Sequence, residues 1–163
     1  MELQLTSLDR LCASSLPGVL QVEYLPLPWV SSFNPIRNSA NILANDVVVV
    51  AQDPPVDWLS VPLLINTRTW EERSERDLQG IYYAQQVSGV TPKLRPSVTG
   101  LFSKMEKIRY LLRLTDRAGQ KWVLGDPDHA FSFQATASLQ QDNQYRISFS
   151  GRTNTRAAGF VPA

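Results

Sequence analysis

The stretch IRYLLRLTDRAGQKWVL, Ile108 to Leu124, decides the fold. Ile108 to Thr115 reads as a strand, and Asp116-Arg-Ala-Gly119 as a turn whose glycine tolerates positive φ. Gln120-Lys-Trp-Val-Leu124 is the returning strand. This hairpin sets the class as antiparallel β. Just upstream, Leu101, Met105, Ile108 and Leu112 fall at helical spacing, which predicts a short helix from about Leu101 to Lys107 passing into the strand. Downstream, Gly125-Asp-Pro-Asp128 is a second turn. Ala130 to Ala137 and Tyr145 to Ser150 alternate as strands about a polar loop, Gln140 to Gln144. That alternation puts Phe131 with Phe133 on one face, and likewise Tyr145, Ile147 and Phe149. From Gly151 to Ala163 a loosely held C-terminal arm is expected.

Toward the N-terminus, Val19 to Leu25 is rich in β-formers and is stopped by Pro26 and Pro28. Residues 31–46 read as loop. Val47 to Val50 is an unbroken β-branched run, expected to be a strand buried on both faces. Trp58 to Ile65 is an edge-strand candidate because of Pro62. Residues 1–18 form either an extended N-terminal arm or one or two helical turns begun by Thr6 and Asp9. Arg68 to Asp77 supports two readings. Thr69 with Glu72 imitates a helix capping box, whereas Ile81 to Val87 is strongly β and Leu78-Gln-Gly80 suits a hairpin loop. The hairpin is preferred, and one of its arms is then charged nearly all round and must project into solvent or against a partner. About eight short strands predict one mainly β domain over residues 1–163, an antiparallel β-sandwich or barrel with one or two short helices.

With 163 residues the chain is long enough to bury roughly two-thirds of its unfolded surface without a metal or disulfide. Sixteen basic residues oppose fifteen acidic ones, so net charge supplies no reason to bind nucleic acid or an anionic membrane. Cys12 is the only cysteine, which fits a reducing compartment. MELQLTSLDR lacks the pattern of a signal peptide, and the longest apolar run, Val47 to Ala51, is too short to span a bilayer. A soluble, unexported product is expected.

The chemistry-bearing residues are few. His129 is the sole histidine, and no G-x-S-x-G elbow accompanies it. Read as a turn histidine, it is solvated. As a rival, it works as a base with Asp126 or Asp128. Zinc lacks ligands, and Asp116, Asp126 and Asp128 suit turns better than a cation site. No glycine-rich phosphate loop is present. Lys104, Lys107, Arg109, Arg113, Arg117 and Lys121 make a modest basic cluster that Glu106 and Asp116 interrupt, a weak case for phosphate contact. The four tryptophans, Trp29, Trp58, Trp70 and Trp122, suit a core or an interface. No enzyme activity, metal or cofactor is expected.

The second half carries a resemblance. A charged segment, Trp70 to Asp77, is followed by Gly80-Ile-Tyr-Tyr83, Val87-Ser-Gly-Val-Thr-Pro-Lys93 and Met105-Glu106. Then come Arg109-Tyr-Leu-Leu112, Asp116-Arg-Ala-Gly119, Leu124-Gly-Asp-Pro-Asp128, Tyr145-Arg-Ile-Ser-Phe-Ser-Gly151 and Ala157-Ala158. Over about residues 68–160 this order resembles a family of small structural proteins encoded among the tail genes of bacteriophages and prophages. The resemblance implies a virion tail component, of the tube or tube-end kind, assembled in the host cytoplasm. It implies a partner set made of copies of itself in a ring, commonly sixfold, and other tail proteins. Nucleic acid would then be met only as DNA passing through a lumen. Trp70, Glu71, Glu72, Arg73, Glu75 and Arg76 are the candidate subunit contacts. The rivals are a small ligand-binding β-barrel lined by the aromatics and a nucleic-acid-contacting accessory.

Overall fold

The computed structural model describes residues 18–33, 48–49, 57–92, 95–139 and 144–160. Residues 1–17 of the N-terminal arm with Cys12, most of the expected 31–46 loop, and Val47 and Val50 at the two ends of the β-branched run lie outside them. The strands in chain order are β1 Val19–Pro26, β2 Val30–Ser32, β3 Val48–Val49, β4 Leu59–Ser60, β5 Thr69–Asp77 and β6 Gly80–Pro92. After helix α1, Pro96–Met105, come β7 Arg109–Asp116, β8 Lys121–Leu124, β9 Phe131–Ser138, β10 Gln144–Thr153 and β11 Ala158–Phe160. The fold is mainly β, as the hairpin pattern predicts, and every pairing is antiparallel.

β7 organises the sheet. One of its edges pairs with β1 from Tyr110 to Asp116. The opposite edge is shared, with Leu112 to Thr115 against β8 and Arg109 to Tyr110 against β9. The sheet therefore branches at β7, with β8 and β11 on one arm and β9, β10, β6 and β5 on the other. The long arm curls until Trp70 of β5 meets Trp122 of β8, with ring centroids 5.7 Å apart. Side chains bridge the seam where a closed barrel would have a ladder.

Aromatic side chains fill the curl. Phe149 lies between Tyr110 and Phe133 at 5.8 and 5.1 Å, and Tyr24 stacks on it at 6.1 Å. α1 adds Phe102 against Tyr145 and Phe133. These aromatics thus pack on one another. Leu111 points the other way, into a smaller cluster with Leu25, Trp58, Val123 and Ala158. β7 therefore buries apolar side chains on both faces, which explains the adjacent Leu111 and Leu112.

Three local expectations change and one ambiguity is settled. α1 starts at Pro96, five residues before the apolar spacing begins, because proline is preset for the first helical position. Trp58 to Ile65 is a strand only at Leu59–Ser60. Val61 and Leu63 are buried, but past Pro62 the chain turns into a 3₁₀ segment, Ile65–Thr67, pinned by the Arg68 guanidinium on the Leu63 carbonyl. The C-terminal arm is not loose from Gly151. β10 runs to Thr153, β11 pairs with β8, and Ala157 and Ala158 are buried. Arg68 to Asp77 resolves in favour of the hairpin. Asp77 pairs with Gly80 around the two-residue loop Leu78–Gln79. The Asp77 carboxylate accepts the Gln79 amide at 2.7 Å, and Gly80 holds φ +127°.

Tyr110 gives the fold an alkaline limit. It is 1% exposed, and its hydroxyl donates to the Met105 carbonyl at 3.0 Å. Burial, with Tyr24 adding to it, pushes the phenol from 10.0 up to about 12. Because the folded value is the higher one, this stabilisation is complete below pH 10 and is lost as pH rises through about 12. At 1.36 kcal/mol per unit it amounts to roughly 2–3 kcal/mol. Urea unfolding from pH 9 to 12 is expected to show a steeper alkaline loss in the native protein than in Tyr110→Phe. Equal slopes would exclude Tyr110 as the source.

Candidate functional site

β5 and β6 form a hairpin whose two faces differ. Trp70, Glu72, Ser74 and Arg76 share the inward face with Val87, Gln85, Tyr83 and Ile81 opposite them. Glu71, Arg73 and Glu75 share the outward face with Gln86, Ala84 and Tyr82. Of the six predicted contact residues, Trp70 and Glu72 are engaged on the inward face, and Arg73 and Glu75 on the outward one. Trp70 packs on Trp122. The Glu72 carboxylate, 12% exposed, accepts from Gln85 Nε2 at 2.9 Å, from the Ala157 amide at 2.7 Å and from the Arg156 guanidinium at 2.9 Å. Glu71, Arg73 and Arg76 are exposed, and Glu75 is half-buried.

On the outward face Tyr82 donates to Glu75 Oε2 at 2.5 Å, and Arg73 Nε pairs with Glu75 at 3.2 Å. The Tyr82 hydrogen bond, with Arg73 and Arg152 nearby, holds the Glu75 carboxyl below the usual glutamate range. The same bond raises the Tyr82 phenol. Arg152 lies over the Tyr82 ring at 4.5 Å.

Beyond the core the hairpin projects. Every residue from Arg76 to Ile81 is exposed. Leu78 at its tip is fully exposed and Ile81 half exposed. Among the described residues β5 has a ladder partner on one edge only.

The outward face also carries a polar cleft of about 520 Å³. Register explains it. Glu71, Gln86, Ser150, Ser132 and Arg109 form one row across β5, β6, β10, β9 and β7. Long charged side chains stand at the two ends of the row and serines between them, so the middle is low. In the next row Arg73, Ala84 and Arg152 lie side by side. Guanidinium groups around a hydroxyl floor offer hydrogen-bond donors to an oxyanion.

His129 lines the same cleft, half-buried. The sequence reading of a solvated turn residue missed this, since only the fold brings the turn beside Arg109 and Arg152. Asp126 accepts the amides of Asp128 and His129 at 2.9 and 2.8 Å, and its carboxylate meets His129 Nδ1 at 3.0 Å. The nearby Ser132 hydroxyl donates to the Ser150 carbonyl at 3.2 Å. The pair is thus an oriented imidazole with its neighbouring hydroxyl committed elsewhere. Asp116 serves its own turn, accepting the Ala118 and Gln120 amides at 2.9 Å. No group of three or more His, Cys, Asp or Glu side chains converges among the described residues.

The basic cluster is dispersed. Arg113 forms a two-pronged pair with Glu23, at 2.7 and 3.1 Å, and lies over the Trp58 ring at 4.8 Å. Arg109 stands in the cleft, while Lys104 and Lys107 are exposed on and just after α1. No described helix is long and apolar enough to cross a membrane.

No protein-family model, curated protein or solved structure matches this chain.

Proposed function

We propose that this protein is a structural subunit of a bacteriophage or prophage tail, joining copies of itself through the β5–β6 hairpin. The observation that carries self-assembly is the nine-residue strand β5, which ends the sheet order and leads to an exposed apolar tip. An open edge presents unpaired backbone groups to another chain. Its charges exclude indiscriminate pairing and favour a partner of complementary pattern. Leu78 lies beyond the reach of the core and gains burial only against another surface. The placement of that surface in a tail follows from the resemblance over residues 68–160.

Solution mass over a range of concentrations, with negative-stain images of large species, tests the reading. Rings, tubes or concentration-dependent oligomers are expected. Leu78→Asp, at a fully exposed site, should shift the protein toward monomer while changing its stability by no more than about 0.5 kcal/mol. A native protein that stays monomeric at every concentration counts against a self-assembling subunit.

A further inference from the structure

We infer that two copies of this chain pair antiparallel through β5, about a two-fold axis at Ser74. The inference rests on the reading that the hairpin is a self-contact, and it specifies the partner strand and its register. The basis is the charge order Glu72-Arg73-Ser74-Glu75-Arg76. With Ser74 opposite Ser74 of a second copy, Arg73 faces Glu75 and Glu72 faces Arg76, and symmetry repeats both pairs.

Directly opposed residues in an antiparallel pair project to the same face. The match is therefore complementary on both faces. Arg73 and Glu75 both lie outward, and Glu72 and Arg76 both lie inward. Neighbouring registers lose this. A shift by one residue would set an inward side chain opposite an outward one, which the alternation of a continuous ladder excludes. A shift by two sets Arg73 opposite Arg73 or Glu75 opposite Glu75. Like charges directly opposed destabilise a strand pair. In the favoured register the one like-charged pair, Glu71 with Asp77, falls at the fringe, followed by Trp70 facing Leu78.

The closed side of β5 does not use these charges in the same way. Its cross-strand neighbours on β6 are Gln85, Ala84, Tyr83, Tyr82 and Ile81, none of them charged at neutral pH. On the closed side Glu72 and Glu75 accept from the uncharged Gln85 and Tyr82, and pairing of opposite charges across strands is offered only on the side where β5 has no described ladder partner. The C-terminal segment reaches β5 on the inward face, where Arg156 and the Ala157 amide hold the Glu72 carboxylate, whereas Arg73 and Glu75 lie on the outward face. Arg156 lies over the Tyr83 ring at 4.8 Å, on the inward face of the hairpin. Arg73 already holds Glu75 of its own strand, yet its side chain is 68% exposed. It can bridge to a second carboxylate. Two-fold pairing joins protomers in twos, so any larger assembly built on it holds an even number of copies.

The test uses the full chain with Cys12→Ser, so that Ser74→Cys supplies the only thiol. Directly opposed Cα atoms sit about 4.5–5.5 Å apart, within disulfide reach. Mild oxidation is expected to give a cross-linked dimer. In the native background, Arg73→Glu and Glu75→Arg alone should each raise the dimer dissociation constant roughly tenfold, because symmetry doubles each repulsion. The double variant, Arg73→Glu with Glu75→Arg, exchanges the charges and should restore pairing. Thermal melts that match the native protein exclude a folding defect. Oligomers that neither cross-link nor respond to these reversals overturn the two-fold pairing and leave self-assembly standing. A monomer at every concentration overturns both.

Discussion

Phe149→Ala should remove about 3–5 kcal/mol of stability, the largest single effect expected in this chain. Phe149 is 1% exposed, on the central strand of the long arm of the sheet, between β9 and β6. Its ring touches three others, Tyr24 from β1, Tyr110 from β7 and Phe133 from β9. Truncation therefore opens a cavity where both arms of the sheet meet, and no one strand can move in to fill it without breaking its ladder. A domain of this kind holds about 5–15 kcal/mol in total, so the variant loses a large share of it. Urea unfolding measures the change. Phe149→Leu, which keeps most of the volume, should lose less than half as much. A drop of under about 1 kcal/mol for Phe149→Ala would mean that these rings do not form one packed cluster.

Glu72→Ala is the second, at about 2–3 kcal/mol. The Glu72 carboxylate joins β5 to Gln85, Arg156 and the Ala157 amide across the seam that the ladder leaves open. Removing it leaves the Gln85 amide with Thr153 as a partner at 3.1 Å, and it strips the Ala157 amide of a carboxylate acceptor. Hydrogen bonds to a charged group contribute about 1.5–3 kcal/mol, more than those between neutral groups. The effect should be local. Amide exchange at Ala157 to Gly159 should accelerate far more than in β9 or β10, since β11 is held by the three-residue pairing to β8 and by this carboxylate. Uniform acceleration across the sheet would place the effect of Glu72 on global folding and not on the seam. In either case a charge reversal at Glu72 perturbs the protomer, so subunit contacts are better probed at Arg73, Glu75 and Leu78.

The sequence by itself determined the elements whose signals are short-range. Turn chemistry in Asp116 to Gly119 defined β7 and β8. Two-residue alternation defined β9 and β10. The β-rich run after Gly80 outweighed the capping box at Thr69 and Glu72, because that box fixes only one turn whereas a nine-pair ladder fixes the strand. The charge order of β5 was legible too, as a surface that must face something.

Only the tertiary structure decided what those charges face. It turned Trp70 and Glu72 inward and left Arg73, Glu75 and Arg76 at the hairpin's outer reaches. It gathered Arg73, Arg109, Arg152 and His129 around one cleft. It converted the expected loose tail into β11, through a carboxylate and an amide 85 residues apart. Turns and periodicity are set by neighbours a few residues away, so a single sequence displays them. Pairing between distant strands, the sharing of one edge of β7 by two partners and the capture of a terminus depend on contacts between residues far apart in the chain. Their partners become identifiable only when the sheet has curled.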